Sequence, residues 1–149
     1  MYKKILVPLD GSERAEAILP HVKNLALRFK AKIIFFIVIE QRHFVGYDEA
    51  IWVKEHDEKR DHQIKETKSY LTSLLKQFRE EGIKVQILIS DGPVVKAILD
   101  AAKSENVDLL AMASHGRSGL SRTFYGSISA GVLQRIDRPL LLIRSRNGE

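Results

Sequence analysis

The 149-residue sequence contains no cysteine. Disulfide bridges and thiolate metal sites are therefore excluded, and the composition is compatible with a reducing, cytoplasmic setting. No apolar run approaches the roughly 20 residues of a membrane span, and the one at the N-terminus is too short for a signal peptide. There is also no Pro/Gly/Ser-rich linker and no internal repeat. With 44% hydrophobic residues, the chain predicts one domain over residues 1–149, with no membrane partner.

Clusters of one charge sign are scarce, although the net charge is +5. Lysines and arginines mostly alternate with acids, and pairs such as Glu55/Lys59 and Asp61/Lys65 have the order that supports a solvated helix face. A nucleic-acid-binding stripe needs clustered basic side chains, so this pattern disfavours a nucleic-acid partner. The acid-free basic stretch 113–136 suits a small anionic ligand at least as well as a polymer.

Segments with strand and helix periodicity alternate along the chain. The predicted strands are Tyr2 to Val7, Lys32 to Ile39, Lys84 to Ile89, Val107 to Met112 and Leu140 to Ile143. A first helix is predicted from Glu13 to Phe29 with a kink or a locally missing hydrogen bond at Pro20, and a long charged helix ends at Gly82. A third helix follows Gly92-Pro93 and a fourth opens at Gly126-Ser127, while residues 41–60 are left open. This βαβαβαβαβ order predicts an α/β fold, a doubly wound five-stranded parallel sheet with helices on both faces.

The most informative segment is the loop 113–127, between the fourth strand and the fourth helix. It has no acidic residue, carries Arg117 and Arg122, and contains three glycines that let backbone N–H groups approach a ligand. At Gly126-Ser127 the unpaired N–H groups and the dipole of the helix favour a phosphate. The alternative is a solvated loop in which Ser127 is an ordinary helix N-cap.

Asp10 follows the first strand, in the sequence Pro8-Leu9-Asp10-Gly11-Ser12. Doubly wound sheets bind ligands at the carboxyl ends of strands, where the strand order reverses. A carboxylate beside a phosphate loop could bind ribose hydroxyls or a divalent cation shared with the phosphates. Asp10 is equally typical of a turn. His115 either anchors its loop or acts as an acid or base.

These segments resemble the universal stress protein family, from Lys4 to about Arg144. The resemblance rests on Lys-Ile-Leu-Val-Pro-Leu-Asp-Gly-Ser, on Gly92-Pro93, and on Ser114-His115-Gly116 followed by nine residues and then Gly126-Ser127. The nucleotide-binding branch of that family has Gly-two-Gly-nine-Gly-Ser/Thr, and Ala113 stands in place of the first glycine. If that position requires a positive φ, alanine deforms the loop; if glycine only permits close approach, one methyl is tolerated.

The resemblance implies an adenine nucleotide alpha hydrolase-like fold with strand order 3-2-1-4-5, and ATP bound with magnesium or manganese. Adenine would lie near Val38, ribose near Asp10 and Ala113, and the phosphates on the loop and the following helix start. No side chain is assigned as a metal ligand, apart from Asp10 through Mg-ATP. The predicted binding residues are Pro8, Leu9, Asp10, Val38, Met112, Ala113, His115, Gly116, Arg117, Gly126, Ser127 and Ile128.

Three classes of function follow from these observations. The favoured one is a cytoplasmic, non-enzymatic ATP-binding regulator of the stress response, a nucleotide-dependent switch. The second is a slow ATPase or nucleotidyl transferase, although the loop has no lysine for the phosphates, so no catalytic residue is predicted. The third is a structural dimer with an empty cleft. An apolar edge strand from Leu140 to Ile143 would pair with a second copy and make a homodimer.

Overall fold

The computed structural model describes residues 1–40, 49–114 and 126–145, with the backbone only at 49–57. The five strands are β1 Lys4–Leu9, β2 Lys32–Ile39, β3 Lys84–Asp91, β4 Leu109–Ala113 and β5 Leu140–Ile143. A 3-10 helix, Ala15–Ile18, follows β1. The α-helices are α1 Leu19–Phe29, α2 Glu49–Glu80, α3 Val94–Ser104 and α4 Ser127–Arg135.

All pairings in the five-stranded sheet are parallel, and the strand order is β3-β2-β1-β4-β5. This confirms the predicted fold class and order. At the centre of the sheet, Leu6 of β1 lies level with Ile34 of β2 and Leu110 of β4, and all three are fully buried. Because the strands are parallel, all five carboxyl ends lie at one edge, which we call the carboxyl edge.

Helices cover both faces of the sheet, as predicted. On one face, α1 and α2 pack on β1 and β2, and the ring of Phe78 meets that of Phe35 edge-on with centroids 5.0 Å apart. On the other face, α3 and α4 pack through Ile98 and Val132 against Phe36 and neighbouring strand residues. The central strands are buried on both sides, which explains why their sequences are almost continuously apolar.

Pro20 lies in the first turn of α1 and not inside a helix, so its predicted position was wrong. The chain forms the 3-10 helix first, and α1 starts at Leu19 with Pro20 as its second residue. Proline lacks an N–H group, but the first turn of a helix has no internal acceptor for that group, so the residue fits there without strain. The single helix predicted from Glu13 is therefore two helical segments.

Two strands are shifted from their predicted positions. β1 runs to Leu9 rather than Val7, so Pro8 and Leu9 belong to the sheet. β4 starts at Leu109 rather than Val107, because the Val107 N–H donates to the Ala102 carbonyl at 3.1 Å and closes the turn after α3. Both shifts move the strand tips towards the carboxyl edge.

β3 is an outer strand, as its alternating sequence predicts, and α2 flanks it. The Arg79 guanidinium donates to the Val85 carbonyl at 3.1 Å, and Arg60 pairs with Asp91 at the far end of the strand. Gly82, with φ +85°, reverses the chain between α2 and β3. No α-helix among residues 1–40, 49–114 and 126–145 is long and apolar enough to cross a membrane.

At the opposite, amino edge, Asp108 joins the start of β4 to the start of β1. Its Oδ2 accepts the backbone N–H groups of Lys3 at 2.8 Å and Lys4 at 2.9 Å. The bond from Lys4, followed by the bond from Lys3, lowers the pKa of Asp108 below its ordinary value. The carboxylate form is therefore favoured by folding.

Replacing Asp108 with alanine should lower the free energy of unfolding by about 1–2 kcal/mol at pH 7, because two bonds to a charged acceptor are lost. A lowered folded-state pKa contributes stability above the unfolded value of about 3.9. The difference between variant and wild type should thus persist at neutral pH and shrink as acidification protonates the folded carboxylate. Urea unfolding at several pH values measures it, with the exposed Asp137→Ala as the control expected to stay close to wild type.

Candidate functional site

The ladder between β1 and β4 stops short of the carboxyl edge. It ends at the pair Leu6/Leu110, whereas the β1–β2 ladder continues to Leu9/Ile37. Two residues beyond Leu6, Pro8 has no N–H group to donate to a neighbouring strand. The opening lies between the two strands at which the strand order reverses, where doubly wound sheets place their ligands.

The strand register brings three of the predicted loops to the same level. Because Leu9 pairs with Ile37, the next residue, Asp10, lies level with Val38. Because Leu6 pairs with Leu110, the same register places Asp10 level with Ser114. A Cβ placed on Gly126 would lie 3.6 Å from the Ser114 carbonyl oxygen, so the start of α4 adjoins the tip of β4. We call this opening, between the Asp10 turn and the start of α4, the crevice.

Four predicted binding residues are buried in strands. Pro8 and Leu9 end β1, and Met112 and Ala113 end β4. All four lie at the carboxyl ends of their strands. Ala113 is the last residue of β4, and positive φ values among the described non-glycine residues occur only at Lys30 and Asn106. The position of Ala113 therefore does not demand glycine's backbone conformation.

Gly126 is the N-cap of α4 and adopts left-handed angles, φ 70° and ψ 20°, without a side-chain capping bond. The alternative reading of Ser127 as the N-cap is thus wrong; Ser127 is the first residue of the helix. The first intrahelical bond runs from the Ala130 N–H to the Gly126 carbonyl at 2.6 Å. The N–H groups of Ser127 and Ile128 precede this bond, at the end of a helix where the dipole favours an anion.

Ser129 fixes the start of α4, and the sequence reasoning missed it. Its hydroxyl is buried, donates to the Gly126 carbonyl at 3.0 Å, and lies 3.5 Å from the Ser114 carbonyl. A serine three residues after the capping glycine was the only local signal available. This side chain ties the start of the helix to the tip of β4.

Asp10 organises the turn that follows β1. Its Oδ1 accepts from the Ser12 N–H at 2.9 Å and the Ser12 hydroxyl at 2.6 Å. The Ser12 Oγ in turn accepts the N–H of Ala15, the first residue of the 3-10 helix, at 3.2 Å. The turn-forming role of Asp10 is therefore present, and it holds the carboxylate in one orientation beside the crevice.

A second carboxylate lies near this turn, and no local sequence pattern indicated it. The Tyr70 hydroxyl of α2 donates to Glu16 Oε2 at 2.7 Å. Burial, followed by this hydrogen bond and the charge of Glu16, raises the pKa of Tyr70 well above its ordinary value, and the charge of Asp10 adds to the effect. Tyr70 therefore stays a hydrogen-bond donor throughout the physiological pH range.

The remaining predicted residues His115, Gly116 and Arg117 lie outside the described residues. Within the described parts of the chain, no group of three or more histidine or acidic side chains could hold a metal ion by itself. A cavity of about 330 Å³ lies elsewhere, between α3 and β3, with Phe36, Leu88 and Ala101 among its lining residues. It is separate from the crevice.

Comparison with known proteins connects this geometry to one family. The sequence profile of the universal stress protein family matches residues 1–144. Universal stress protein MJ0577 of Methanocaldococcus jannaschii is 30% identical over 159 residues, covering 99% of this chain and 98% of that protein. A solved structure of MJ0577 superimposes with a TM-score of 0.86 at 32% identity and covers 99% of each chain.

Two more distant structures contain nucleotides. A universal stress protein in complex with cAMP has a TM-score of 0.70 at 18% identity, covering 97% of this chain and 98% of that one. An Arabidopsis thaliana family protein with AMP bound has a TM-score of 0.69 at 16% identity, covering 97% and 93%. At such identities the likeness shows the fold alone. The profile match over nearly the whole chain and the MJ0577 relationship establish that this chain belongs to the universal stress protein family.

Proposed function

We propose that this protein binds an adenine nucleotide, ATP with Mg²⁺ or Mn²⁺, in the crevice and acts as a nucleotide-dependent switch in the stress response. The observation that carries the proposal is the meeting, at the reversal of strand order, of the Asp10 turn with the glycine-capped start of α4. One side offers a carboxylate for ribose or a cation, and the other offers N–H groups for phosphate. The relatives solved with cAMP and AMP support an adenosine ligand.

The residues at the crevice suit such a ligand in their chemistry. A Cβ at Gly126 would lie 2.8 Å from the Ser129 Oγ, so glycine leaves room for the hydroxyl that ties the helix start to β4. A cation would enter with the nucleotide and take phosphate oxygens as ligands, with Asp10 as the nearby protein carboxylate. When bound, the cation would neutralise phosphate charge close to that carboxylate.

The proposed role is regulatory rather than catalytic. The loop 113–127 contains neither a lysine for the phosphates nor a carboxylate that could act as a base towards water. The proposed site of action is the cytoplasm, which a chain without cysteine suits.

We further propose that the protein is a homodimer through β5, from Leu140 to Ile143. This strand lies at a sheet edge. Two of the large exposed apolar side chains, Leu133 and Leu142, belong to the consecutive elements α4 and β5, with 58% and 37% of their surface exposed. Antiparallel pairing of two copies of β5 would satisfy the open backbone groups and cover apolar surface.

Equilibrium dialysis of labelled ATP and AMP against the purified protein, with and without Mg²⁺, tests the nucleotide proposal. We expect saturable binding of ATP, with higher affinity when Mg²⁺ is present, because the cation reduces repulsion between phosphate and carboxylate. Phosphate release should be negligible over hours. Absence of saturable binding for both nucleotides would refute the proposal, and steady phosphate release would favour a slow ATPase.

A further inference from the structure

A continuous chain of hydrogen bonds leads from Asp10 at the crevice to Tyr70 on α2. Ser12 donates to Asp10 Oδ1 through both its N–H and its hydroxyl. The carbonyl of Ser12 accepts the Glu16 N–H at 3.2 Å, which fixes the backbone of Glu16 relative to the turn. The Glu16 carboxylate then accepts the Tyr70 hydroxyl at 2.7 Å. The turn after β1, the 3-10 helix and α2 are thereby held in one arrangement.

Tyr70 is well placed to hold the Glu16 carboxylate still. Its ring is half-buried against the core cluster under α1 and α2, so the hydroxyl has little freedom to move. A hydrogen bond to a charged acceptor is stronger than one between neutral groups. The charges of Glu16 and Asp10 both act on the Tyr70 hydroxyl and raise its pKa, after the larger effect of burial. The two carboxylates thus share one electrostatic neighbourhood.

We propose that Tyr70 is a positioning residue for the nucleotide site, because its hydrogen bond holds the Glu16 carboxylate at α2. The inference rests on the proposed function and specifies how the same crevice tolerates a polyphosphate beside two acidic side chains. Released from Tyr70, the Glu16 carboxylate would repel the phosphates and compete with Asp10 for the Ser12 donors. In this proposal Tyr70 acts through Glu16, which accepts its hydroxyl hydrogen bond.

The test compares Tyr70→Phe, Glu16→Gln and the double variant by calorimetric titration with ATP and Mg²⁺. Tyr70→Phe should weaken ATP binding about tenfold, because it frees a charged group from its donor. Glu16→Gln removes the charge itself and should leave the affinity within about twofold of wild type. The double variant should recover the affinity lost in Tyr70→Phe. A role in packing alone predicts no such recovery.

Two matched controls lie at the amino edge, away from the crevice. Tyr2→Phe removes a hydroxyl from a ring that packs edge-on against Phe29 at 5.4 Å. Glu81→Gln removes a carboxylate that pairs with Lys23 at 2.8 Å. Both variants should bind ATP as the wild type does, and thermal unfolding of every variant separates changes of stability from changes of affinity.

Unchanged ATP affinity in Tyr70→Phe overturns the inference, and so does a loss that the double variant fails to restore. If Tyr70→Phe does not fold, Glu16→Asp makes the same test. The shorter aspartate side chain would no longer reach the Tyr70 hydroxyl but would keep the negative charge. A wild-type affinity in Glu16→Asp then overturns the inference. Failure of the wild-type protein to bind ATP or AMP is a distinct result, which removes the proposed function and this inference together.

Discussion

Alanine in place of Gly126 is expected to weaken binding of ATP with Mg²⁺ by about tenfold or more, equivalent to about 1.4 kcal/mol. The new Cβ would lie 2.8 Å from the Ser129 Oγ, closer than side chains approach one another. Displacing that hydroxyl disturbs its contacts with the Gly126 and Ser114 carbonyls, which hold the start of α4 against β4. The helix N–H groups would then no longer be aimed at the phosphates. Calorimetric titration measures the affinity.

Alanine is a more selective probe here than a larger residue. Gly126 has a φ of +70°, so any side chain at this position costs about 1–2 kcal/mol of backbone strain. Valine would add a branched Cβ to the same strain and place more atoms beside Ser129. A loss of ATP binding in Gly126→Val could therefore come from local unfolding of α4 as well as from loss of the N–H groups proposed to bind phosphate.

Gly82→Ala is the matched control for the strain in Gly126→Ala. Gly82 has a similar φ of +85° and lies at the amino edge, and a Cβ added to it would meet no atom within 4 Å. The variant should lose stability through backbone strain and keep the wild-type affinity for ATP. If Gly126→Ala binds ATP as tightly as Gly82→Ala does, the start of α4 is not the phosphate-binding site.

The strands and helices were predictable from local sequence signals, whereas the strand order that makes β1 and β4 neighbours was implied by the family resemblance. Continuous apolar runs such as Lys32–Ile39 indicate strands buried on both faces, and amphipathic segments between them indicate crossover helices. Parallel strands then force the Asp10 turn and the loop after β4 to the same edge. The residue-level contacts with a nucleotide stay predictions.

The start of the first helix was not predictable from the same signals. Buried positions such as Ala15 and Ile18 of the 3-10 helix continue the apolar stripe of α1. A 3-10 helix repeats every 3.0 residues and an α-helix every 3.6, a difference that four residues cannot resolve. Pro20 was the informative residue, since proline is favoured in the first turn of a helix.

The supporting side chains of the crevice were missed because they come from distant parts of the chain. Tyr70 and Glu16 are 54 positions apart, and their hydrogen bond depends on how α2 packs beside the 3-10 helix. Ser129 meets the Ser114 carbonyl only because α4 folds back onto the tip of β4. Periodicity and spacing report the elements themselves, whereas these contacts depend on tertiary packing.

The two outer strands of the sheet, β3 and β5, differ in how far the rest of the chain covers their open sides. This difference affects which strand can pair with a second copy. On β3, the Arg79 side chain donates a hydrogen bond to the Val85 carbonyl, and α2 lies alongside the strand. On β5, no side chain in the described part of the chain makes such a bond to a strand carbonyl. A covered edge resists pairing with another chain, and an open apolar edge favours it. Pairing of two copies is therefore expected at β5 rather than β3.

Leu142→Asp should convert the proposed homodimer into a monomer at micromolar concentration. In an antiparallel pair related by a two-fold axis, the substituted strands would bring two carboxylates together and lose apolar contact. The stability of the folded chain should change little, because 37% of Leu142 is already exposed. Sedimentation equilibrium reports whether the mass corresponds to one chain or two.

Leu27→Asp provides the matched control for this change, because Leu27 is 50% exposed on α1, an element remote from β5 in the sheet order. The same substitution there should leave the dimer mass intact, so that a loss specific to Leu142 reports on the strand edge rather than on added charge. If the Leu142→Asp protein is still a dimer, the interface does not lie at β5. A monomeric wild-type protein would show instead that the open edge alone does not bring two chains together.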